Sequence, residues 1–303
     1  QLTCVRNPLL PPDLHTTERP SSTAQWTALG RALELERPPG ERIVTDEYAP
    51  VFLSPSSRAL LAPLRVGRPL VQLAERHPLA GISAFGLCRH GFIDEHLSAA
   101  LADPETEQVL ILGAGYDSRA YRFADELEGR PVYEVDLPPL SRRKAEIVAA
   151  QPARFAGNRI NRVEIDFRTD SLAERLGESG FAIGARTFVA WEGVSMYLSH
   201  PAVADTLDTL GEVCGPGSTL AMDFWHRLPG VGPRAAVRRL GARAIALIGE
   251  PVTFGVAPAD VAGFLDVHGF EVVDLVRSRE LAARFSSGGR PCEESVYVLA
   301  ARL

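Results

Sequence analysis

The sequence lacks the features that mark membrane, metal and nucleic-acid proteins. No apolar run in its 303 residues reaches the ~18 residues that a membrane span needs, and residues 1–20 have no apolar core of signal-peptide type. The net charge is −6 and no basic run is present, which argues against a nucleic-acid partner. The cysteines form no CxxC or Cys/His spacing, so we expect neither a metal site nor a disulfide framework. They are Cys4, Cys88, Cys214 and Cys292.

These absences leave an ordinary globular protein. Hydrophobic residues make up 46% of the chain and charged residues 23%, which is usual for such a protein. Widely spaced cysteines are typical of reduced thiols, so we expect a cytoplasmic location. The chain begins at Gln1 without Met, so we expect its natural start to lie upstream. The composition leaves the oligomeric state open.

The stretch from 109 to 136 is the most informative part of the chain. The apolar run Val109–Leu112 is followed by Gly113 and Gly115, which predicts a buried strand and a sharp turn that a ligand can approach closely. A helix over Ser118–Leu127, capped by Ser118, is expected next. A second apolar run ends in Asp136, where a nucleotide-binding βαβ unit places an acid for the ribose hydroxyls.

The residues of the turn discriminate between nucleotide ligands. A dinucleotide fingerprint has a third glycine where this chain has Ser118. Asp117 is a poor neighbour for a pyrophosphate and a tolerable one for a positively charged ligand. The turn therefore favours S-adenosylmethionine, with its sulfonium and ammonium groups, over NAD. A plain strand-to-helix turn without a ligand is the alternative.

The pattern of elements changes near residue 106. The first hundred residues show helical periodicity only, after a proline-rich arm over residues 1–22, and from Gln108 strands alternate with helices, which predicts an α/β fold with a parallel sheet. A stretch rich in Ala and Arg, about 228–250, is expected to be a helical insertion over the site. The last two strands are separated by a short helix, so we expect them to pair antiparallel. The predicted strands are Val109–Leu112, Pro131–Asp136, Arg159–Ile165, Thr187–Trp191, Ser218–Phe224, Phe270–Val276 and Glu294–Arg302.

Acidic residues follow three of these strands, namely Asp136, Asp166 and Glu192. The carboxyl ends of parallel strands meet at one edge of the sheet, where ligands bind. We therefore expect the three carboxylates in one crevice. The alternative for each of them is a cap of the helix that follows.

Several motifs together resemble the leucine carboxyl methyltransferase family, which includes bacterial O-methyltransferases of polyketide biosynthesis. Ile111–Arg119 is similar to its first motif, and Tyr133–Pro138 with Lys144 to its second. Glu192–Leu198 resembles the motif after its fourth strand, and Arg89–Asp94 the helix before its first strand. The resemblance covers residues 24 to 303.

The resemblance implies a Rossmann-like class I methyltransferase fold. Its sheet would be seven-stranded and mostly parallel, with an antiparallel last strand. Residues 1–105 would form a helical N-terminal cap on a core over 106–303, within one integrated domain. The implied cofactor is S-adenosyl-L-methionine, and the implied partner is a small-molecule substrate.

Carried over by position, the resemblance implies a role for each cofactor residue. Arg89 would pair with the carboxylate of the cofactor, and Gly113 would pack against its methionine part. Asp136 would hold the ribose hydroxyls, Asp166 with the Phe167 backbone would read the adenine edge, and Glu192 would approach the methionine end.

The chemistry requires mainly positioning, because the sulfonium already activates the methyl group. A carboxylate acceptor is ionised at neutral pH, whereas a phenol with a pKa of about 10 benefits from a general base. His226 is the first candidate base, followed by His90 and His200. Tyr197 is a candidate for orienting the acceptor.

The leading hypothesis is therefore O-methylation of a carboxylate or phenolic hydroxyl on a small natural product. One alternative is non-methylating chemistry on the same fold, such as cyclisation or hydroxylation with bound cofactor. Another is carboxyl methylation of a protein C-terminus, and a binding module without catalysis is the last.

Overall fold

The computed structural model describes residues 22–67, 75, 81–155, 159–166, 169–226, 252–286 and 289–303. The predicted N-terminal arm, the helical insertion at about 228–250, Cys4 and Phe167 lie outside the described residues. Within the described ranges, no helix combines the length and apolar character that a membrane crossing requires.

The N-terminal hundred residues are helical in their described parts, as predicted. Helix α3 (Gly81–Leu101), which carries Arg89, buries Phe92, Ile93 and Leu97 against the sheet. The elements are α1 (Ser22–Glu34), a 3-10 turn (Pro39–Glu41), a second 3-10 turn (Ala49–Phe52), α2 (Pro55–Val66) and α3 (Gly81–Leu101).

One sheet of seven strands follows in the described part of the chain, in the order β3-β2-β1-β4-β5-β7-β6. Strands β1 to β5 pair in parallel, and β7 runs antiparallel to both of its neighbours, β5 and β6. The predicted mostly parallel sheet with an antiparallel last strand is thus confirmed. The strands are β1 (Gln108–Leu112), β2 (Val132–Asp136), β3 (Ile160–Glu164), β4 (Thr187–Trp191), β5 (Thr219–Trp225), β6 (Glu271–Arg277) and β7 (Val296–Arg302).

The helix predicted after β1 is divided at Phe123 into α4 and α5. Its expected cap was wrong, because the hydroxyl of Ser118 accepts a hydrogen bond from Nε of Arg122 at 3.0 Å and caps no backbone N–H. Asp117 accepts from the backbone N–H of Arg119 instead, at 2.7 Å. The core helices are α4 (Arg119–Arg122), α5 (Ala124–Leu127), α6 (Pro138–Ala149), α7 (Leu172–Glu178), α8 (His200–Val213), α9 (Val261–Asp266) and α10 (Ser278–Phe285).

Both faces of the sheet are covered by helices. Leu110 and Leu112 of β1 pack with residues of α7, α8 and α9 on one face. Val109 and Ile111 pack with residues of α3 and α10 on the other. Burial on both faces explains why β1 reads as a continuous apolar run. It also leaves the carboxyl edge of the sheet as the place where polar side chains collect.

Candidate active site

The turn after β1 requires glycine at position 113. Gly113 has a φ of +65°, in the region that favours glycine. A Cβ at this position would stand 2.1 Å from Cγ2 of Val194. The turn after β1 therefore packs directly against the turn after β4. Gly115, with a φ of +44°, completes the reversal.

Asp136 lies beside this turn at the end of β2. Its carboxylate accepts hydrogen bonds from the backbone N–H groups of Gly115, at 2.5 Å, and of Leu137, at 2.7 Å. Burial raises the pKa of Asp136 despite these two donors. The structure thus joins the predicted residues Gly115 and Asp136 in one hydrogen bond.

Asp166 follows β3, the neighbour of β2. The N–H of Ile165 donates to the carbonyl of Asp136 at 3.0 Å, so the ends of β2 and β3 lie side by side. Helix α7 is capped by Ser171, whose side chain accepts from the N–H of Glu174. The cap of α7 is therefore Ser171 and not Asp166.

Glu192, directly after β4, is the centre of a buried charge cluster. Its Oε1 accepts from Nε of Arg89 at 3.1 Å, and its Oε2 lies 2.9 Å from Nδ1 of His90 and 2.8 Å from Nη1 of Arg119. Burial alone would raise the pKa of Glu192, but these three groups hold it well below its usual range. Since Ser199 caps the next helix, α8, the capping alternative for Glu192 was also wrong.

Arg119 joins this cluster to the first turn and to helix α3. Its Nη1 lies 2.5 Å from Oδ2 of Asp117, and its Nε lies 2.7 Å from Oδ1 of Asp94. Burial would raise the pKa of Asp117, but Arg119 lowers it. Arg119 thus pairs with Asp117, the residue that the sequence places beside a positively charged ligand.

His90 is buried in the same cluster. An arginine nitrogen can only donate, so Nε2 of His90 accepts from Nη2 of Arg122 at 2.9 Å. Nδ1 lies 2.9 Å from both Nη2 of Arg119 and the acceptor Oε2 of Glu192, and a neutral imidazole carries one proton, so we place that proton on Nδ1, where it is donated to Glu192. Burial and then Arg119 lower the pKa of His90. Both ring nitrogens are therefore engaged, and neither is free to act as a general base.

Three of these side chains also lie close enough to hold a metal ion. His90, Asp117 and Glu192 have ligand atoms within 4.8 Å of one another. The guanidinium of Arg119, however, contacts all three, at 2.9 Å, 2.5 Å and 2.8 Å respectively. Arg119 therefore fills the position between them.

Asp223, in the buried strand β5, completes the cluster and was missed from the sequence. It accepts from Nη1 of Arg89 at 3.1 Å and from the backbone N–H of Gly193 at 2.6 Å. Burial raises the pKa of Asp223 against the effect of Arg89. A lone acid between apolar neighbours of a buried strand is the signal that could have found it.

The cluster has an excess of negative charge. His90 is neutral, and four carboxylates face three guanidinium groups when all are ionised. The carboxylates are those of Asp94, Asp117, Glu192 and Asp223, and the guanidinium groups are those of Arg89, Arg119 and Arg122.

The two predicted catalytic residues lie on other elements. Tyr197 ends a 3-10 turn (Ser195–Tyr197) shortly after Glu192 and is half-buried. His226 follows β5, and its Nε2 lies 3.1 Å from the carbonyl of Glu294. Since a carbonyl only accepts, Nε2 carries the proton and Nδ1 keeps a lone pair. Among the described residues, His226 contacts Glu294, Ser295 and Tyr297.

His200, the remaining candidate base, is an exposed residue at the start of α8. Its ring packs edge-on against Phe254, with centroids 5.0 Å apart, and against Phe264, at 5.6 Å. These contacts indicate a packing role.

Comparison with known proteins gives a consistent result. A sequence model of the leucine carboxyl methyltransferase family matches residues 24–211. A provisionally assigned S-adenosyl-L-methionine-dependent methyltransferase of Streptomyces coelicolor is 32% identical over 263 residues, 86% of this chain and 87% of that protein. A similarly assigned protein of Parafrankia is 35% identical over 204 residues, 66% of this chain and 62% of that one. A solved DUF574 family protein of Streptomyces avermitilis has the same fold, with a TM-score of 0.54 and 14% identity, over 90% of this chain and 96% of that one.

Proposed function

This chain belongs to the leucine carboxyl methyltransferase family and is an S-adenosylmethionine-dependent methyltransferase, and we propose that it methylates a carboxylate or phenolic hydroxyl of a small, polyketide-like natural product in the cytoplasm. The observation that carries the cofactor part of this proposal is the buried cluster around Glu192, beside the glycine turn. The free thiols of Cys88, Cys214 and Cys292 support a reducing compartment.

The charges of the cluster fit S-adenosylmethionine. The cofactor has a sulfonium, an ammonium and a carboxylate, and hence one positive charge in excess. The cluster has one negative charge in excess when its acids are ionised. Arg89 binds the carboxylate of the cofactor, for which a guanidinium offers two parallel donors. Glu192 attracts the positive charges of the methionine end.

The nucleoside part of the cofactor fits the adjoining strand ends. Asp136 accepts hydrogen bonds from the ribose hydroxyls through the lone pairs that Gly115 and Leu137 leave free. Gly113 and Gly115 allow the ligand to approach the backbone closely. Asp166, with the backbone of Phe167, binds the adenine edge; the part of Phe167 in this proposal rests on the family resemblance.

The bound cofactor supplies an electrophilic methyl group, and the chain supplies position. Holding two reactants in line can contribute ~7–11 kcal/mol to lowering a barrier. His226 takes the proton of a phenolic acceptor through Nδ1, the nitrogen left as an acceptor by the contact with Glu294. Tyr197 orients the acceptor. A carboxylate acceptor needs no base.

The experiment is transfer of radiolabelled methyl from S-adenosylmethionine to panels of small aromatic acids, phenols and polyketide-like compounds. Mild alkali then separates the two acceptor classes, because a methyl ester releases labelled methanol and a methyl ether does not. Label in an organic product supports the proposal. Label only in a protein C-terminus, or a changed product without label, would contradict it.

A further inference from the structure

Strand β5 contributes to the cluster a carboxylate that lies deep in the sheet. Asp223 is 1% exposed, and its neighbours Met222 and Phe224 are fully buried. A carboxylate in such surroundings is costly unless its oxygens are hydrogen-bonded to donors. The partners of Asp223 therefore indicate what it does.

Each oxygen of Asp223 has a different partner. Oδ1 accepts from the backbone N–H of Gly193 at 2.6 Å, and Oδ2 accepts from Nη1 of Arg89 at 3.1 Å. One side chain thus fixes both the turn after β4 and the guanidinium from helix α3. These elements are far apart in the sequence.

Arg89 is consequently held on two of its edges. Glu192 takes its Nε, and Asp223 takes its Nη1, both at 3.1 Å. Gly193 lies against the guanidinium itself, because a Cβ on that residue would stand 2.9 Å from Nη2, 3.0 Å from Nη1 and 3.2 Å from Cζ. The absence of a side chain at position 193 allows this close approach, and the φ of Gly193, +68°, requires glycine as well.

We propose that Asp223 is a positioning residue, which orients Arg89 toward the amino-acid end of the cofactor and holds the Gly193 turn beside it. This inference rests on the proposed binding of the cofactor carboxylate by Arg89. Only a carboxylate offers two acceptors from a side chain of this size. An asparagine offers one, so its amide nitrogen would face either Arg89 or the N–H of Gly193, donor against donor.

The test uses two ligands that differ in one part. S-adenosylhomocysteine has the amino-acid portion, and methylthioadenosine lacks it. Their dissociation constants are measured by calorimetry for the wild type and for Asp223→Asn. We expect Asp223→Asn to weaken S-adenosylhomocysteine by about tenfold or more, the effect of losing a hydrogen bond to a charged group, and methylthioadenosine by less than about twofold.

The chain offers a matched control in Glu134 of β2. Like Asp223 it is a buried strand carboxylate, and it pairs with two cations, Lys144 at 2.8 Å and Arg162 at 3.5 Å. Glu134→Gln should change the affinities for the two ligands by the same factor. Circular dichroism checks that each variant is folded, and Asp223→Ser replaces Asp223→Asn if the latter does not fold.

Arg89→Ala, measured in parallel, distinguishes a failure of the positioning role of Asp223 from a failure of the binding role of Arg89. If Arg89→Ala loses S-adenosylhomocysteine selectively and Asp223→Asn does not, the positioning role is refuted and the role of Arg89 stands. If Arg89→Ala weakens both ligands equally, its proposed role in cofactor binding fails. If Asp223→Asn lowers the affinity for both ligands by the same factor, Asp223 only stabilises the fold and does not position Arg89.

Discussion

Replacing Gly113 by alanine tests how the turns after β1 and β4 fit together. An alanine at a φ of +65° costs about 1–2 kcal/mol, because its Cβ approaches the carbonyl oxygen. The new Cβ would also stand 2.1 Å from Cγ2 of Val194, where carbon atoms normally keep about 3.5–4.0 Å. Relieving such an overlap typically costs about 1–3 kcal/mol. Gly113→Ala should therefore lower the free energy of unfolding by about 2–5 kcal/mol.

A second substitution separates the two contributions. Val194→Ala removes both methyl groups and leaves its Cβ, 3.3 Å from the alanine Cβ at position 113. By itself Val194→Ala should lower the free energy of unfolding by about 1–2 kcal/mol, because less apolar surface is buried. In the double variant the overlap largely disappears while the φ strain remains. The double variant should thus be more stable than the sum of the single effects predicts, by about 1–3 kcal/mol.

The assay is urea unfolding of the wild type, both single variants and the double variant, followed by circular dichroism. Linear extrapolation gives the four free energies of unfolding. If the changes in the free energy of unfolding add within about 0.5 kcal/mol, the alanine at position 113 does not clash with Val194. Glycine would then be required at position 113 only for its backbone conformation.

Three further predictions concern single site residues. Asp136→Ala should weaken S-adenosylhomocysteine at least about tenfold in calorimetry without unfolding the protein, since it removes charge-assisted hydrogen bonds to the ribose; an unchanged affinity would leave Asp136 only its bonds to the backbone. His226→Ala should lower kcat about 10²–10⁴-fold if the acceptor is a phenol and leave cofactor affinity unchanged; with a confirmed phenol product, an unaltered kcat would exclude His226 as the base. The pKa of His90 is lowered by burial and by Arg119, so the unfolded chain binds a proton below about pH 6.5 that the folded state does not. The Tm of the wild type should therefore fall between about pH 6.5 and 5 more than that of His90→Gln, and parallel pH profiles of the two would contradict this.

Local patterns were sufficient to predict the sheet and the turn beside it. The apolar runs of β1 and β4 predicted buried strands because parallel strands are covered on both faces. The spacing from the glycines to Asp136 predicted their proximity because a βαβ unit has a nearly fixed length. The hydrogen bond between Gly115 and Asp136 follows directly from that local geometry.

The ion pairs of the site could not be predicted in the same way. Arg89 meets Glu192 and Asp223 only because the strand order brings β4 and β5 beside helix α3. Ser118 was expected to cap a helix from its propensity alone. The hydroxyl of Ser118 instead accepts a hydrogen bond from Arg122. Helix-capping propensity does not account for such competing side-chain donors.

The division into a cap over residues 1–105 and a core over 106–303 stays a prediction. One contact bears on how closely the two would be integrated. Nη2 of Arg31, in α1, donates to the carbonyl of Tyr116 at 2.6 Å, and its Nε pairs with the buried Asp46 at 2.7 Å. A buried ion pair of the N-terminal segment thus holds the turn after β1, which favours one integrated domain.

The most direct test of the account is a crystal structure of the protein with S-adenosylhomocysteine. We predict the ribose hydroxyls on Asp136 and the amino-acid carboxylate on Arg89, with Glu192 and Asp223 still holding that guanidinium. A ligand bound away from the carboxyl edge of the sheet, or an amino-acid portion turned away from Arg89, would contradict it.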